Sequence, residues 1–349
     1  MTVHFHFYWF VWCLGFITMA LKAGVEIVSH SELATFRRCP TEWRFRYVLR
    51  REPKGPKSQA LTKGTAIHKV IGAYHRGEKP DLSGLAPQDR AVVRGYRAYW
   101  GDPDRQVDVE KTDVPFQIMI DPTIMVVGEF DAKGVRKDTK KKTIVEHKST
   151  SEDITMGSAY WNKVALVDSQ VTSYLLASRI MGWGEVEVLY DVLLKSTMKR
   201  QFATPLEKRQ YTKATKTQPS RLHADQREVD ETEDEFEYRV LEDIFKRPEH
   251  YYQRGVVVRL EQDHAAHIKD VKGTVRLLQL ARDMGENVPR NTDSCFKYGR
   301  PCDFYPVCSS GVDVLDDTFY QKKTSSRQRD KAEQQEKTEP EKPVSRFTF

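Results

Sequence analysis

Five cysteines in 349 residues are too few for a small secreted scaffold held together by disulfides. No internal repeat is evident, which excludes a solenoid or propeller array. Nor is there a strong excess of charge. The 56 Lys and Arg against 50 Asp and Glu leave +6, a mild basicity that permits a polyanionic partner without requiring one. No Lys or Arg precedes Lys22, so the apolar run from Phe5 to Leu21 lacks the basic start of a secretory signal. At seventeen residues that run sits at the short limit for a membrane span. Met19 looks like a natural start, and the preferred reading makes the residues before it a misassigned extension. The alternative is an anchor, after which Lys22, Arg37 and Arg38 would keep the main domain cytoplasmic.

What is present fits a globular chain, with 39% apolar and 30% charged residues. The expected organisation is a leader over 1–24, a body over 25–312 and a disordered, charged, proline-containing tail over 313–349. The tail's end, Arg346-Phe347-Thr348-Phe349, is a candidate docking peptide. A cytoplasmic location is expected, and membrane contact is not.

Within the body, Ser29 followed by Glu32 is a capping box opening a helix. That helix is expected to run through Cys39-Pro40 into Trp43–Tyr47, where aromatics alternate with arginines. Gly64 to His68 begins another, and a Gly/Pro-punctuated loop over 77–90 leads to a helix over Asp89–Trp100. Val114–Ile120, Ile124–Val127 and Thr143–Val145 read as strands, the last two joined by a charged hairpin turn over 137–142. One long helix is expected over Ser158–Met181 and a strand over Val186–Leu194. Lys195–Arg227 is basic and poor in apolar residues, an excursion that is either flexible or ordered on a ligand. A helix over Thr232–Arg247, a strand over Val256–Glu261 and a helix over His264–Met284 complete an α/β pattern.

Chemistry concentrates in two places. Asp131 follows the strand Ile124–Val127, and Glu146 ends the strand Thr143–Val145, so pairing these strands sets two carboxylates side by side. Two hard anionic oxygens suit Mg²⁺ or Mn²⁺. Side chains alternate along a strand, so Lys148 shares a face with Glu146. An acid, an acid and a lysine around a metal is what phosphodiester hydrolysis needs. Gln170 and Tyr174 sit at i, i+4 and share a helix face. Taken alone, His68 reads as packing. The second place is Cys295, Cys302 and Cys308, three thiols five or six residues apart in a Gly/Pro-rich turn segment, with Cys39 a fourth if the chain ends meet. Four thiolates suit a [4Fe–4S] cluster or a structural Zn²⁺, and spacings longer than the usual zinc pairs favour the cluster.

Together these residues resemble the RecB-like branch of the PD-(D/E)XK nuclease superfamily, especially its iron–sulfur members. These include the AddB nuclease domain, the CRISPR-adaptation nucleases and stand-alone phage versions. Ser31-x-Leu33-x-x-Phe36-x-x-Cys39-Pro40 is similar to the opening helix of that branch. Gly64-x-x-x-His68, Gly128-Glu129-Phe130-Asp131, Glu146-His147-Lys148 and Gln170-x-x-x-Tyr174 are similar to its successive motifs. The late cysteines depart from the usual spacing, with a longer first gap. The resemblance implies a restriction-endonuclease-like core, a central mixed sheet flanked by helices, with helical additions and a cysteine region joining the termini. It implies that His68, Asp131, Glu146 and the His147 carbonyl hold Mg²⁺ or Mn²⁺. Lys148 would orient water or meet the phosphate, with Gln170 and Tyr174 positioning it, while Cys39, Cys295, Cys302 and Cys308 hold the cluster. The implied activity is that of a metal-dependent deoxyribonuclease acting on single-stranded DNA or free ends in phage or bacterial recombination, repair or replication. A recombination or replication protein would be its partner through the tail. The alternative is a catalytically silent DNA-binding module.

Overall fold

The computed structural model describes residues 24–55, 59–297 and 299–323. The leader up to residue 23 and the tail from 324 onward lie outside the described residues. Among the described residues, no helix is long and apolar enough to cross a membrane.

The sheet grows outward from one long strand. β1 (Glu26–Ser29) leads into α1 (His30–Arg38). A short strand β2 (Arg51–Pro53) precedes α2 (Gln59–His75) and α3 (Pro87–Trp100). Then come β3 (Val107–Asp121), β4 (Ile124–Arg136) and β5 (Lys142–Thr150), a meander whose hairpin turn falls within the charged run 137–142, with Lys142 already in β5. α4 (Ala159–Val167), α5 (Ser169–Ile180) and β6 (Val186–Leu194) follow, then α6 (Glu233–Lys246), β7 (Tyr252–Val257), α7 (Glu261–Met284) and β8 (Tyr320–Lys322).

The six-stranded sheet is mixed: β1 is parallel to β4 and β5 to β6, while β3–β4, β4–β5 and β6–β7 are antiparallel. β3 covers one edge of β4 along its length. On the other edge β1 pairs with Ile124–Val127 and β5 with Ala132–Val135. Gly128 to Asp131 lie in the gap where β1 and β5 diverge, and the polar site forms there. One face of the sheet buries Val28, Phe116, Phe130 and Ile144 against α1, α5 and α7. The other buries Leu193 and Tyr252 against α2, α3 and α6 through Ile67, Ile71, Tyr96 and Val240. The result is the mixed-sheet, helix-flanked α/β core that the sequence implies.

Four expectations are corrected. The opening helix stops at Cys39, whose backbone is extended (φ −158°, ψ 111°) before Pro40 begins a separate turn over Pro40–Trp43; a residue before proline is driven out of the α region. The expected helix over 158–181 is two helices. Asp168 breaks it with an extended backbone and caps the second, accepting from Gln170 N at 2.8 Å and Val171 N at 3.3 Å. The last strand lies earlier than expected, at Tyr252–Val257, because Tyr252 is a core residue and pairs with Leu193. Residues 313–323 run on the body instead of trailing from it. β8 pairs with β2, and Val314 and Tyr320 are buried against Phe45 and Phe304. This small cluster ties the late chain to the segment after α1.

Candidate active site and cysteine pocket

β5 presents three polar residues in a row, and alternation splits them. Glu146 and Lys148 face α5; His147 points towards α2 and α3. Lys148 donates to Glu146 and, at 2.9 Å, to Gln170 Oε1. Gln170 Nε2 in turn donates to the Tyr174 hydroxyl at 2.6 Å, and that hydroxyl donates to the Glu129 carbonyl at 3.0 Å, inside the gap on β4. The i, i+4 pair of α5 thus forms a ladder from the sheet edge to the lysine. Asp131 accepts the His147 main-chain N–H at 2.9 Å, and His68 Nδ1 of α2 lies 3.6 Å from the same carboxylate oxygen. The structure therefore brings together all seven sequence-selected residues of this region: His68, Asp131, Glu146, His147, Lys148, Gln170 and Tyr174.

The two carboxylates are held at opposite ends of the protonation range. Burial, then the negative charge of Asp131, pushes Glu146 up to about 7, against the pull of Lys148. Burial would raise Asp131 too, but the close approach of His68, with the charges of His147 and Lys148, holds it down to about 2. Lys148 stays above its ordinary value because Glu146 and Asp131 outweigh its own burial. One Glu146 oxygen, Oε2, is buried with no protein partner. A buried, unpartnered carboxylate oxygen beside a second carboxylate fits a hard divalent cation, which takes oxygen ligands. Among the described residues, no three His, Cys, Asp or Glu side chains already stand at metal-binding distance.

Behind the strand lies a layer that sequence reasoning missed. His147 Nδ1 is 3.0 Å from Asp191 Oδ2, and Asp191 also accepts from Tyr96 and from Arg254, the latter at 3.1 Å. Arg254 continues to Asp104 at 2.6 Å. The His75 ring stacks on His147 with centroids 5.2 Å apart, and burial with His147 beside it pushes His75 down to about 4. Burial opposes protonation of His147, but the Asp191 hydrogen bond and charge prevail and raise it. These groups come from five separate elements. The only sequence trace is weak: His68 and His75 lie at i, i+7 on one helix, and Asp191 interrupts the apolar second half of its strand.

The four cysteines also converge. Cys39, Cys295, Cys302 and Cys308 all line one cavity of about 130 Å³, with Glu42, Arg290 and Asn291. All four are free thiols, Cys39 buried and the others half-buried. Burial pushes Cys302 up to about 11 and also raises Cys308. Asn291 N–H points at Cys39 Sγ at 3.5 Å, and Arg290 donates to the Cys308 carbonyl at 3.0 Å. The four thiols thus share one small cavity, though no three of them stand at metal-binding distance among the described residues.

A mixed sheet with two acids and a lysine at a strand divergence is an arrangement suited to metal-dependent phosphodiester chemistry. The model of the PD-(D/E)XK nuclease superfamily matches residues 27–309, and the chain belongs to that superfamily. No curated protein matches it. Among solved structures it is similar to one described as "Crystal structure of SSO0001", at 12% identity over 86% of this chain and 96% of that one, with a TM-score of 0.35.

Proposed function

We propose that this chain is a divalent-metal-dependent deoxyribonuclease of the RecB-like branch, acting as an exonuclease on single-stranded or free DNA ends in phage or bacterial recombination, repair or replication. The observation that carries the reading is the Lys148 ammonium fixed between Glu146 and Gln170, beside Asp131. His68, Asp131, Glu146 and the His147 carbonyl are the residues that would hold Mg²⁺ or Mn²⁺, which supplies Lewis-acid stabilisation of phosphoryl charge and acidifies water. The protein's own contribution is positional. Lys148 presents a cation to a non-bridging phosphate oxygen, and Gln170 with Tyr174 keeps it there. With Glu146 among the residues that would hold the cation, Lys148 would be left to Gln170 and the phosphate.

The cysteine pocket is read as the seat of a [4Fe–4S] cluster, with Zn²⁺ as the alternative. What supports it is the shared cavity and spacings longer than those of zinc pairs. The deciding experiment incubates purified protein with end-labelled single- and double-stranded DNA and Mg²⁺ or Mn²⁺, with Lys148→Ala as control. Metal-dependent products that shrink at least a hundredfold in the control are expected. No cleavage of either DNA, or an unimpaired control, would sink the nuclease reading.

A further inference from the structure

The basic excursion between β6 and α6 is an ordered arm. Its two limbs are held by Thr204 N to Arg227 O at 2.8 Å, His223 N to Gln210 O at 2.9 Å and Thr212 N to Arg221 O at 2.8 Å, and Thr215 N to Gln218 O at 2.9 Å closes the tip. Cations near the root are consumed within it. Arg239 binds the buried Glu231 at 2.7 Å, Arg227 pairs with Glu235 at 3.1 Å, and Arg209 donates to the carbonyls of Thr204 and Glu228 at 2.9 Å.

The tip is different. Lys208 to His223 contains no acidic residue, and Tyr211 to Arg221 is exposed throughout. Lys213, Lys216 and Arg221 form no ion pair with a described residue. Phe202, Leu206, Tyr211 and Val229 are exposed too, so the arm buries little and adds little to stability. Its position is informative. β6 runs parallel to β5, with Val192 opposite Lys148 and Leu194 opposite Thr150, and Lys195 N donates to Thr150 O at 2.8 Å. The arm therefore leaves the sheet at the end that carries Lys148, three residues or about 10 Å beyond its level. Met198 at the root packs in the cluster containing Tyr74 and Leu82, which line a cleft with Lys79, Arg94, Arg97 and Arg105. Two of those cations are paired, Arg94 with Glu237 and Arg97 with Asp102, so the unpaired positive charge of this region concentrates at the arm's tip.

We propose that the arm is a grip for single-stranded nucleic acid. Lys213, Lys216 and Arg221 bind backbone phosphates away from the cleavage site, and Tyr211 offers a face on which a base stacks. The arm sets affinity and residence and takes no part in bond cleavage. This rests on the nuclease reading for its substrate, but its test does not. Binding of a labelled oligonucleotide is followed by anisotropy in EDTA, where no cleavage occurs, across a salt series. For the Lys213→Glu/Lys216→Glu/Arg221→Glu variant, affinity for single strands falls at least tenfold. The slope of log Kd against log salt drops by about 2, three phosphates at roughly 0.7 each; duplex binding would lose nearer 2.7. Tyr211→Ala weakens binding about tenfold at every salt with the slope unchanged. The corresponding triple alanine variant falls between wild type and the reversal. With saturating substrate and metal, the triple variant's kcat stays at the wild-type value. An affinity and slope equal to wild type in the triple variant overturns the grip while leaving the nuclease standing. A protein that binds through the arm but never cuts overturns the nuclease reading and leaves the grip.

Discussion

Lys148 Nζ donates to Gln170 Oε1 at 2.9 Å, across the gap between β5 and the first turn of α5. That single bond couples two motifs separated by twenty-two residues, and it exists because Asp168 breaks the expected long helix and restarts it with Gln170 in the first turn. Gln170→Ala should leave the lysine charged but loosely aimed. We expect kcat to fall about a hundredfold, the order of a small misplacement of a reacting group, with little change in DNA affinity. Unchanged kcat would remove Gln170 from the machinery.

Asp131→Ala and Glu146→Gln each delete a hard oxygen of the cation site. Cleavage should drop by about a thousandfold or more, several kcal/mol of charge stabilisation being lost. The circular dichroism spectrum should stay that of the wild type. A variant that cuts at the wild-type rate with limiting metal would sink the assignment.

Glu146 also writes a signature into stability. Its carboxyl is pushed up to about 7 from 4.5, so between those values the folded protein holds a proton that the unfolded chain has released. Folding free energy therefore declines as pH rises through that window, by up to about 3 kcal/mol from this group. His147 acts in the same sense: its raised pKa adds stability below its ordinary value of 6.5 that is lost on deprotonation. Urea titrations of metal-free protein at pH 5 and pH 8 should show the loss, and Glu146→Gln should remove most of it. A Glu146→Gln variant with the wild-type slope would disprove the attribution.

Asp191→Ala would leave the Arg254 guanidinium and the His147 ring buried without their shared carboxylate. Stranding buried charge costs about 3–5 kcal/mol. The denaturation midpoint should fall accordingly. A loss under 1 kcal/mol would mean that Asp104 alone satisfies Arg254.

For the cysteines, replacing any of Cys39, Cys295, Cys302 or Cys308 by Ser should lower melting temperature first and activity second, because a bound centre contributes directly to folding. Anaerobic protein should be brown with about four irons per chain. One zinc in a colourless protein would replace the cluster and spare the nuclease.

Much of this molecule was legible from local pattern. The apolar runs around Asp131 and Glu146, the alternation that pairs Glu146 with Lys148, and the i, i+4 spacing of Gln170 and Tyr174 follow from strand and helix periods, which need no tertiary information. Val186–Leu194 was read to the residue because it is a continuous buried run. Tertiary structure decided what lies far apart in sequence. The divergence of β1 and β5 along one edge of β4 opens the gap that holds the site. The layer of His75, Tyr96, Asp104, Asp191 and Arg254 behind His147 has no shared period, since its members meet only when α2, α3, β6 and β7 pack. Residues 313–323 read as tail because their apolar content is low, yet Val314 and Tyr320 find a partner surface in Phe45 and Phe304. Sequence fixes which side chains share a face; only packing fixes which faces meet.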